Sequence, residues 1–144
     1  MALLGLVPVK DFMTKEPLTL QSAATVADAY ELMKNHRIRH LPVVDKAGRL
    51  LGVFTERDLH HAYAPRETAE GWYYDKDEMG LRIARHFMTE DPVTLKDDST
   101  FFDAVDIFVR NKFGCLPVVS PEGKLLGIVS YIDILKTIKH FLTS

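Results

Sequence analysis

The sequence has only one cysteine, Cys115, so no disulfide can form within the chain. This excludes a secreted scaffold held by internal disulfides and fits a reducing cytoplasm. Long apolar runs are also missing, since no segment approaches the roughly 20 apolar residues of a membrane span. Residues 2–9 are too short for the apolar core, basic flank and cleavage site of a signal peptide. We therefore expect a cytoplasmic protein with no membrane-spanning segment.

A basic excess is absent as well. The 144 residues include 18 Lys and Arg against 20 Asp and Glu, which gives a formal net charge of -2. A protein that holds nucleic acid by its phosphates is expected to be basic. We therefore expect no nucleic-acid partner, and any anion site must depend on a local group of cations.

Patterns typical of catalysis are scarce. No Ser-His-Asp order, metal-ligand cluster or Gly-rich phosphate loop stands out, so a hydrolase has little support. His36 and His40 are spaced i, i+4, but the Glu of a metalloprotease helix is missing and no third ligand is indicated. Cys115 precedes an apolar strand and has no positioned base, which is typical of a cysteine that packs as a small hydrophobe. We expect no enzyme activity, no catalytic residue and no metal site.

What the sequence does contain is a duplication. The stretch from Leu41 to Leu59 recurs 75 positions later, from Leu116 to Ile134, without a gap. Self-similarity at a fixed spacing identifies an internal repeat. The same shift matches further residues of the first copy, which are Phe12, Met13, Thr14, Pro17, Thr19, Leu20, Thr25, Asp28 and Ala29.

Each copy is predicted to form strand, helix, strand, tight turn, strand and helix. In the first copy, Pro17–Leu20 is a brief strand with alternating polarity. Thr25 and Asp28 have the spacing of a helix capping box, and apolar residues follow at helical spacing. Leu41–Val44 and Leu50–Phe54 are apolar runs rich in β-branched residues, as expected of strands covered on both faces.

Both copies close on the pattern Gly-x-x-(Thr/Ser)-x-x-Asp, at residues 52–58 and 127–133. With the order of the elements, this pattern resembles a tandem pair of CBS (cystathionine β-synthase) domains, also called a Bateman module. The resemblance covers roughly residues 8–140 and rests on several motifs in one order. It implies an α+β fold in which two repeated βαββα units pack sheet to sheet in one pseudo-two-fold module.

The duplication divides the chain into a first repeat over residues 8–63, a linker or insertion over 64–83 and a second repeat over 84–144. The linker mixes aromatic and acidic residues without clear periodicity. We interpret it as an irregular linker whose Trp72 packs on the nearest apolar surface. A flap over a ligand or a partner-binding element is the alternative.

Thr55 and Asp58 allow two interpretations. A Thr followed three residues later by an acidic residue is a helix capping box. The resemblance implies a ligand site instead, where the helix N-terminus and the Thr hydroxyl receive an anion or a sugar oxygen, and Asp58 accepts hydrogen bonds from both ribose hydroxyls. Ser130 and Asp133 stand in the same relation in the second copy. The spacing alone does not separate the two interpretations.

Three cationic residues of the first copy are candidate phosphate ligands. In CBS domains the two residues before the Leu-Pro step often face the nucleotide phosphates, which implies this role for Arg39 and His40. The alternative is that they only offset the dipole at a helix C-terminus. The planar guanidinium of Arg39 suits bidentate phosphate contact. Arg57, next to Asp58, is a further phosphate ligand or simply pairs with a carboxylate.

The second copy lacks these cations. Gly114, Cys115 and Ile132 replace Arg39, His40 and Arg57, so its phosphate binding should be weaker and its ligand more adenosine-like. In the family, the first strand of each repeat lines the base pocket, which makes Thr19 and Thr94 candidates. By pattern alone, each is a polar residue exposed on an alternating strand.

The resemblance implies a stand-alone regulatory module that binds an adenine nucleotide (AMP, ADP or ATP) and transmits binding to a partner enzyme or transporter. S-adenosylmethionine and NAD are alternative ligands, and no cofactor is required. A structural interaction protein that keeps the fold without the ligand is the competing hypothesis. The apolar arcs of the two capped helices are wide, and in CBS pairs the second cover is often another copy of the module. We therefore expect a homodimer.

Overall fold

The computed structural model describes residues 3–62, 66–73 and 76–143. The chain divides into two compact units. We call Leu18–Asp91 the N-repeat unit, and Met1–Pro17 together with Pro92–Ser144 the C-repeat unit. Each unit is built around one sequence repeat, but the first residues of each repeat belong to the unit of the other.

The strands are short. Within the described ranges there are ten, which are β1 (Thr14–Lys15), β2 (Leu20–Gln21), β3 (His40–Val44), β4 (Leu50–Thr55), β5 (Arg66–Thr68), β6 (Gly71–Tyr73), β7 (Thr89–Glu90), β8 (Leu95–Lys96), β9 (Cys115–Val119) and β10 (Leu125–Ser130).

Helices alternate with these strands. The described residues form five α-helices, which are α1 (Val26–His36), α2 (Glu56–Ala62), α3 (Lys76–Met79), α4 (Phe101–Arg110) and α5 (Tyr131–Thr143). Three short 3-10 helices cover Leu4–Leu6, Val9–Asp11 and Ala84–His86.

The N-repeat unit contains a four-stranded sheet with the order β2-β3-β4-β7. β2 and β3 are parallel because α1 connects them as a crossover. β3 and β4 form an antiparallel hairpin, and Gly48 in its turn has a φ of 84°, which glycine adopts without strain. The sheet and helices enclose a core of Leu20, Val26, Ala29, Met33, Leu41, Val43, Phe54, Leu59, Ala62, Met79 and Ala84.

The C-repeat unit repeats this design with the strand order β1-β10-β9-β8. β8 and β9 are parallel, whereas β9 and β10 are antiparallel. Its core consists of Val9, Leu95, Ala104, Leu116, Val118 and Val129. The α+β fold with two repeated βαββα units is confirmed.

The capping box predicted at Thr25 and Asp28 is confirmed, and the second copy forms the equivalent box. At α1, the Asp28 N–H donates to Thr25 Oγ1 at 3.1 Å, and the Thr25 N–H donates to Asp28 Oδ2 at 2.9 Å. Thr100 and Asp103 make the same pair of bonds at the start of α4. Each box supplies partners to backbone groups that a helix end leaves without an intrahelical bond.

The outer strand of each sheet comes from the first residues of the other repeat. β1 pairs with β10, with Thr14 opposite Ile128, and β7 pairs with β4, with Thr89 opposite Val53. The close approach of each outer strand requires a glycine on the neighbouring strand. A Cβ atom at Gly52 would lie 2.5 Å from the carbonyl oxygen of Thr89, and a Cβ atom at Gly127 would lie 2.6 Å from the carbonyl oxygen of Thr14.

The first strand of each repeat starts later than expected. Thr19 and Thr94 precede β2 and β8 and do not lie on a strand, so the predicted strand at Pro17–Leu20 is wrong by three residues. Pro17 and Pro92 have no N–H to donate to a sheet ladder, and β2 and β8 begin three residues after them. Both threonines are half-buried.

The segment between the repeats is more regular than expected. Residues 66–73 form the antiparallel hairpin of β5 and β6, and Gly71 at its turn has a φ of 116°. The helix α3 follows, and its Met79 is fully buried in the core of the N-repeat unit. The interpretation as an irregular linker is therefore wrong for this part. The side chain of Trp72, which we expected to pack on apolar surface, lies outside the described residues, as do Tyr74 and Asp75.

Candidate functional site

Thr55 and Asp58 are hydrogen-bonded to each other where β4 ends and α2 begins. The carboxylate oxygen Oδ2 of Asp58 accepts from the Thr55 N–H at 2.8 Å and from its hydroxyl at 3.1 Å. The Asp58 N–H donates back to Thr55 Oγ1 at 3.3 Å. Thr55 and Asp58 therefore form the hydrogen bonds of a capping box, and these bonds use only one of the two carboxylate oxygens of Asp58.

The environment of Asp58 is unusual for a cap. Its residue is only 9% exposed, and it is the buried charged residue of the described part of the chain. Among the described residues, none donates a hydrogen bond to its Oδ1. Asp58 therefore presents an acceptor that a ligand hydroxyl can use.

The second repeat forms the same turn where β10 meets α5. Asp133 Oδ2 accepts from the Ser130 N–H at 2.9 Å and from its hydroxyl at 3.2 Å, and the Asp133 N–H donates to Ser130 Oγ at 3.4 Å. Here Thr14 of β1 adds a hydroxyl that donates to Asp133 Oδ1 at 3.1 Å and to Oδ2 at 3.3 Å. The two turns thus have the same three hydrogen bonds between the hydroxyl residue and the aspartate, and they differ in the contact from Thr14.

His40 lies beside the first turn. It is the first residue of β3 and stands directly opposite Thr55 of β4, so the two side chains leave the same face of the sheet. The imidazole is half-buried. Desolvation lowers the pKa of His40 below its usual value, the positive charge of Arg39 lowers it further, and Glu56 opposes both. His40 is thereby biased toward the neutral form.

Arg39 is held by a different partner. Its Nε lies 3.6 Å from Oε2 of Glu56, the first residue of α2, and its side chain is 80% exposed. In the described part of the chain it makes no ion pair with Asp58. An exposed pair of this kind is worth about 0–1 kcal/mol, so Arg39 is readily released to another anion.

Arg39 and Glu56 line an open groove of about 390 Å³ between α1 and α2. Two more cations, Lys34 and Arg37, also face it. Arg37 ends α1 in a left-handed conformation with a φ of 53°. The groove is completed by apolar and aromatic side chains of the same unit, which are Tyr30, Met33, Ile38 and Leu59.

The structure therefore separates the candidates of the first repeat. His40, Thr55 and Asp58 lie together at the end of the β3–β4 hairpin, whereas Arg39 faces the groove. Arg57 is exposed and forms no ion pair within the described ranges. The hydroxyls of Thr19 and Thr94 make no hydrogen bond to another described residue.

Sequence reasoning missed several residues of these sites. Lys34 and Arg37 line the groove, and the Lys34 ammonium lies 5.8 Å from the centre of the Tyr30 ring. The i, i+4 spacing of Tyr30 and Lys34 signalled this contact. Thr14 was matched to Thr89 by the repeat, but no local pattern indicated that it reaches Asp133.

Three negative expectations concern the Cys115 thiol, metal ligands and membrane-spanning helices. Burial raises the pKa of the Cys115 thiol to about 12, which agrees with a cysteine that packs as a hydrophobe. The described residues contain no group of three or more His, Cys, Asp or Glu placed to hold a metal ion. None of the described helices has both the length and the apolar character needed to cross a membrane.

The sequence profile of the CBS domain matches residues 9–65 and 84–140. The chain therefore belongs to the CBS-domain family and carries two tandem copies of the domain. It is similar to a CBS domain-containing protein of Dictyostelium discoideum, with 32% identity over 127 residues that cover 88% of each chain.

Solved structures of CBS pairs share the fold. CBSX2 of Arabidopsis thaliana, in complex with AMP, is 26% identical with a TM-score of 0.79, over 94% of this chain and 98% of that one. The CBS pair of protein MJ0100, in complex with 5′-methylthioadenosine and S-adenosylmethionine, is 25% identical with a TM-score of 0.76, over 94% and 98% of the two chains. These relatives bind adenosine-containing ligands.

Proposed function

We propose that the protein is a regulatory module that binds AMP, ADP, ATP or a related adenosyl ligand and transmits binding to a partner. The observation that carries this proposal is Asp58, a buried carboxylate with one oxygen left open beside the Thr55 hydroxyl. Vicinal ribose hydroxyls are suitable donors for such an acceptor, and hydrogen bonds to a charged group are the stronger ones. Ser130 and Asp133 form the corresponding site of the second repeat.

The other candidate residues take roles around these carboxylates. Arg39 and Arg57 supply the charge for phosphates at the first site. His40, which shares a face with Thr55 and is biased toward the neutral form, donates a ring N–H to a phosphate oxygen there. Arg39 reaches a phosphate by exchanging its weak pair with Glu56 for a bidentate one. Thr19 and Thr94, which precede β2 and β8, contact the base.

The relatives support the adenosyl class of ligand. CBS pairs with 25–26% identity to this chain are known in complex with AMP, and with 5′-methylthioadenosine and S-adenosylmethionine. The ligands share the adenosine group and differ in what is attached at the 5′ position. The cations near the first turn favour a phosphate there, which makes AMP, ADP and ATP the first ligands to test.

A thermal-shift series tests the proposal. The protein is titrated with AMP, ADP, ATP, S-adenosylmethionine and NAD, with CMP as the control for a phosphate and ribose without adenine. A ligand that binds only the folded state raises the melting temperature with concentration. Adenine ligands should do so and CMP should not. A flat response to all five adenine ligands would refute the proposed function.

The module acts as a homodimer in this proposal, and its regulated partner is an enzyme or a transporter in the cytoplasm. α5 has no buried residue among those described, and Leu135 is 58% exposed. α4 likewise exposes Phe102 and Val109. Large apolar side chains on neighbouring helices suit an interface with a second copy. Light scattering at micromolar concentration should give a dimer, which Leu135→Asp should convert to a monomer; a monomeric wild type would exclude it.

A ligand-free interaction module is the second candidate. Its specific support is that both turns complete their caps without a ligand. It predicts no nucleotide response, whereas the ligand-binding proposal predicts one that depends on Asp58.

A further inference from the structure

One hydrogen bond distinguishes the two otherwise matched turns. The hydroxyl of Thr14 donates to both carboxylate oxygens of Asp133, at 3.1 and 3.3 Å. The repeat places Thr89 in the position of Thr14 and Asp58 in that of Asp133. Within the described residues, the hydroxyl of Thr89 makes no hydrogen bond to Asp58.

The backbone around both threonines is nevertheless the same. Thr14 stands opposite Ile128 in the β1–β10 pair, and Thr89 stands opposite the equivalent Val53 in the β4–β7 pair. Each threonine carbonyl lies close over a glycine of the neighbouring strand. The difference therefore lies in the side-chain contact and does not come from a different strand position.

This contact changes what each carboxylate offers to a ligand. A carboxylate has about four acceptor positions on its two oxygens. At Asp58, the Thr55 donors use only Oδ2, and Oδ1 is open. At Asp133, Ser130 uses Oδ2 in the same way, but Thr14 takes Oδ1 as well. A threonine hydroxyl is chemically equivalent to one hydroxyl of a sugar.

We propose that Thr14 is a specificity-determining residue of the second site, because its hydroxyl occupies Asp133 in place of a ligand hydroxyl. This inference rests on the proposed function of the two turns. A ligand with a vicinal diol can bind Asp58 directly through both hydroxyls, but at Asp133 both hydroxyls bind only after Thr14 is displaced. The two sites therefore fill in order, Asp58 first, even with a ligand such as adenosine that carries no phosphate.

The test compares variants at Thr14 with variants at Thr89. Adenosine and AMP are titrated by calorimetry into the full chain carrying Asp58→Asn, which leaves Asp133 as the intact carboxylate. Thr14→Val removes the hydroxyl and keeps the branched shape, Thr14→Ser restores a hydroxyl, and Thr89→Val is the matched control. Thr14→Val should strengthen adenosine binding roughly tenfold, as expected when a hydrogen bond to a charged group no longer competes. Thr14→Ser and Thr89→Val should leave it unchanged.

A ligand-free measurement accompanies the titration. Urea unfolding of Thr14→Val, Asp133→Asn and the double variant should give non-additive midpoint shifts, because the two side chains share a bond. The midpoint shifts of Thr89→Val and Asp58→Asn should be additive, because these two side chains share no hydrogen bond.

The outcomes separate the inference from the proposed function. If wild type binds adenosine through Asp58 but Thr14→Val leaves the Asp133 site unchanged, or Thr89→Val strengthens it equally, the inference is wrong and the proposed function stands. Additive shifts for Thr14 and Asp133 would also overturn the inference alone. If no protein of the series binds, wild type included, both fail.

Discussion

Replacing Asp58 separates a ligand site from a helix cap, because the chain contains a matched control. Thr25 and Asp28 have the same Thr-x-x-Asp spacing and the same two hydrogen bonds as Thr55 and Asp58. Asp28 is exposed, however, and begins an ordinary crossover helix. Asp28→Ala and Asp58→Ala therefore both remove a cap, but only Asp58→Ala removes a proposed ligand acceptor.

The expected magnitudes differ in affinity more than in stability. Loss of a cap costs about 1 kcal/mol of the free energy of unfolding, with a somewhat larger loss for Asp58 because it is buried. Loss of a charged hydrogen-bond acceptor weakens binding by about 1.5–3 kcal/mol, which is roughly 10- to 150-fold in the dissociation constant. Asp28→Ala should leave the dissociation constant unchanged.

Isothermal titration with AMP and ATP measures the affinities, and urea unfolding of the same samples measures the stabilities. Circular dichroism confirms that each variant is folded at the titration temperature. Equal affinities of folded Asp58→Ala and wild type would show that Thr55 and Asp58 only cap α2. Equal losses of affinity in both variants would show that ligand binding reports helix stability and not the Asp58 carboxylate.

Three further predictions concern other parts of the chain. Gly52→Ala should lower the free energy of unfolding in urea by about 1–3 kcal/mol, because its Cβ would lie 2.5 Å from a backbone oxygen. Gly5→Ala should be tolerated, since the nearest atom there is 3.6 Å away, and equal urea midpoints for the two variants would refute the reasoning. Arg39→Ala should weaken ATP about tenfold with less salt dependence and leave adenosine unaffected; equal losses for both ligands would leave Arg39 as a groove residue only. Burial lowers the pKa of folded His40, so the unfolded chain binds its proton more readily. The stability from neutral His40 is thus complete above the ordinary imidazole pKa and is lost as the pH falls; an unchanged pH profile in His40→Gln would contradict this.

Much of the fold follows from local sequence. The apolar runs at Leu41–Val44 and Leu50–Phe54 became β3 and β4, and the Thr25–Asp28 spacing became a capping box. These features depend on neighbours within a few residues, and the duplication supplied an independent second example of each. The parallel pairing of β2 with β3 agrees with the helix that connects them.

What the sequence did not predict depends on distant partners. β1 and β7 have two residues each, which is too short for a periodic pattern, and β1 pairs with a strand near the other end of the chain. Met79 looked like part of a linker because its burial comes from a core formed by other segments. At the site, the spacing of Thr55 and Asp58 fits a cap and a ligand equally well. Asp58 differs from Asp28 in its burial and in the bond it accepts from the threonine hydroxyl.

The exchange of outer strands has a consequence for synthesis on the ribosome. The N-repeat unit is one continuous stretch, Leu18–Asp91, so all of its strands have left the ribosome while the second repeat is still being made. The C-repeat unit contains the first residues of the chain, and β1 has no partner until β10 is synthesised. Domains generally fold as units during synthesis. We therefore expect the N-repeat unit of the nascent chain to fold while β1 is still unpaired. A pause in translation within the second repeat would therefore prolong exposure of the N-terminal segment, and Gly127 and Thr14 would meet only at the last stage of folding.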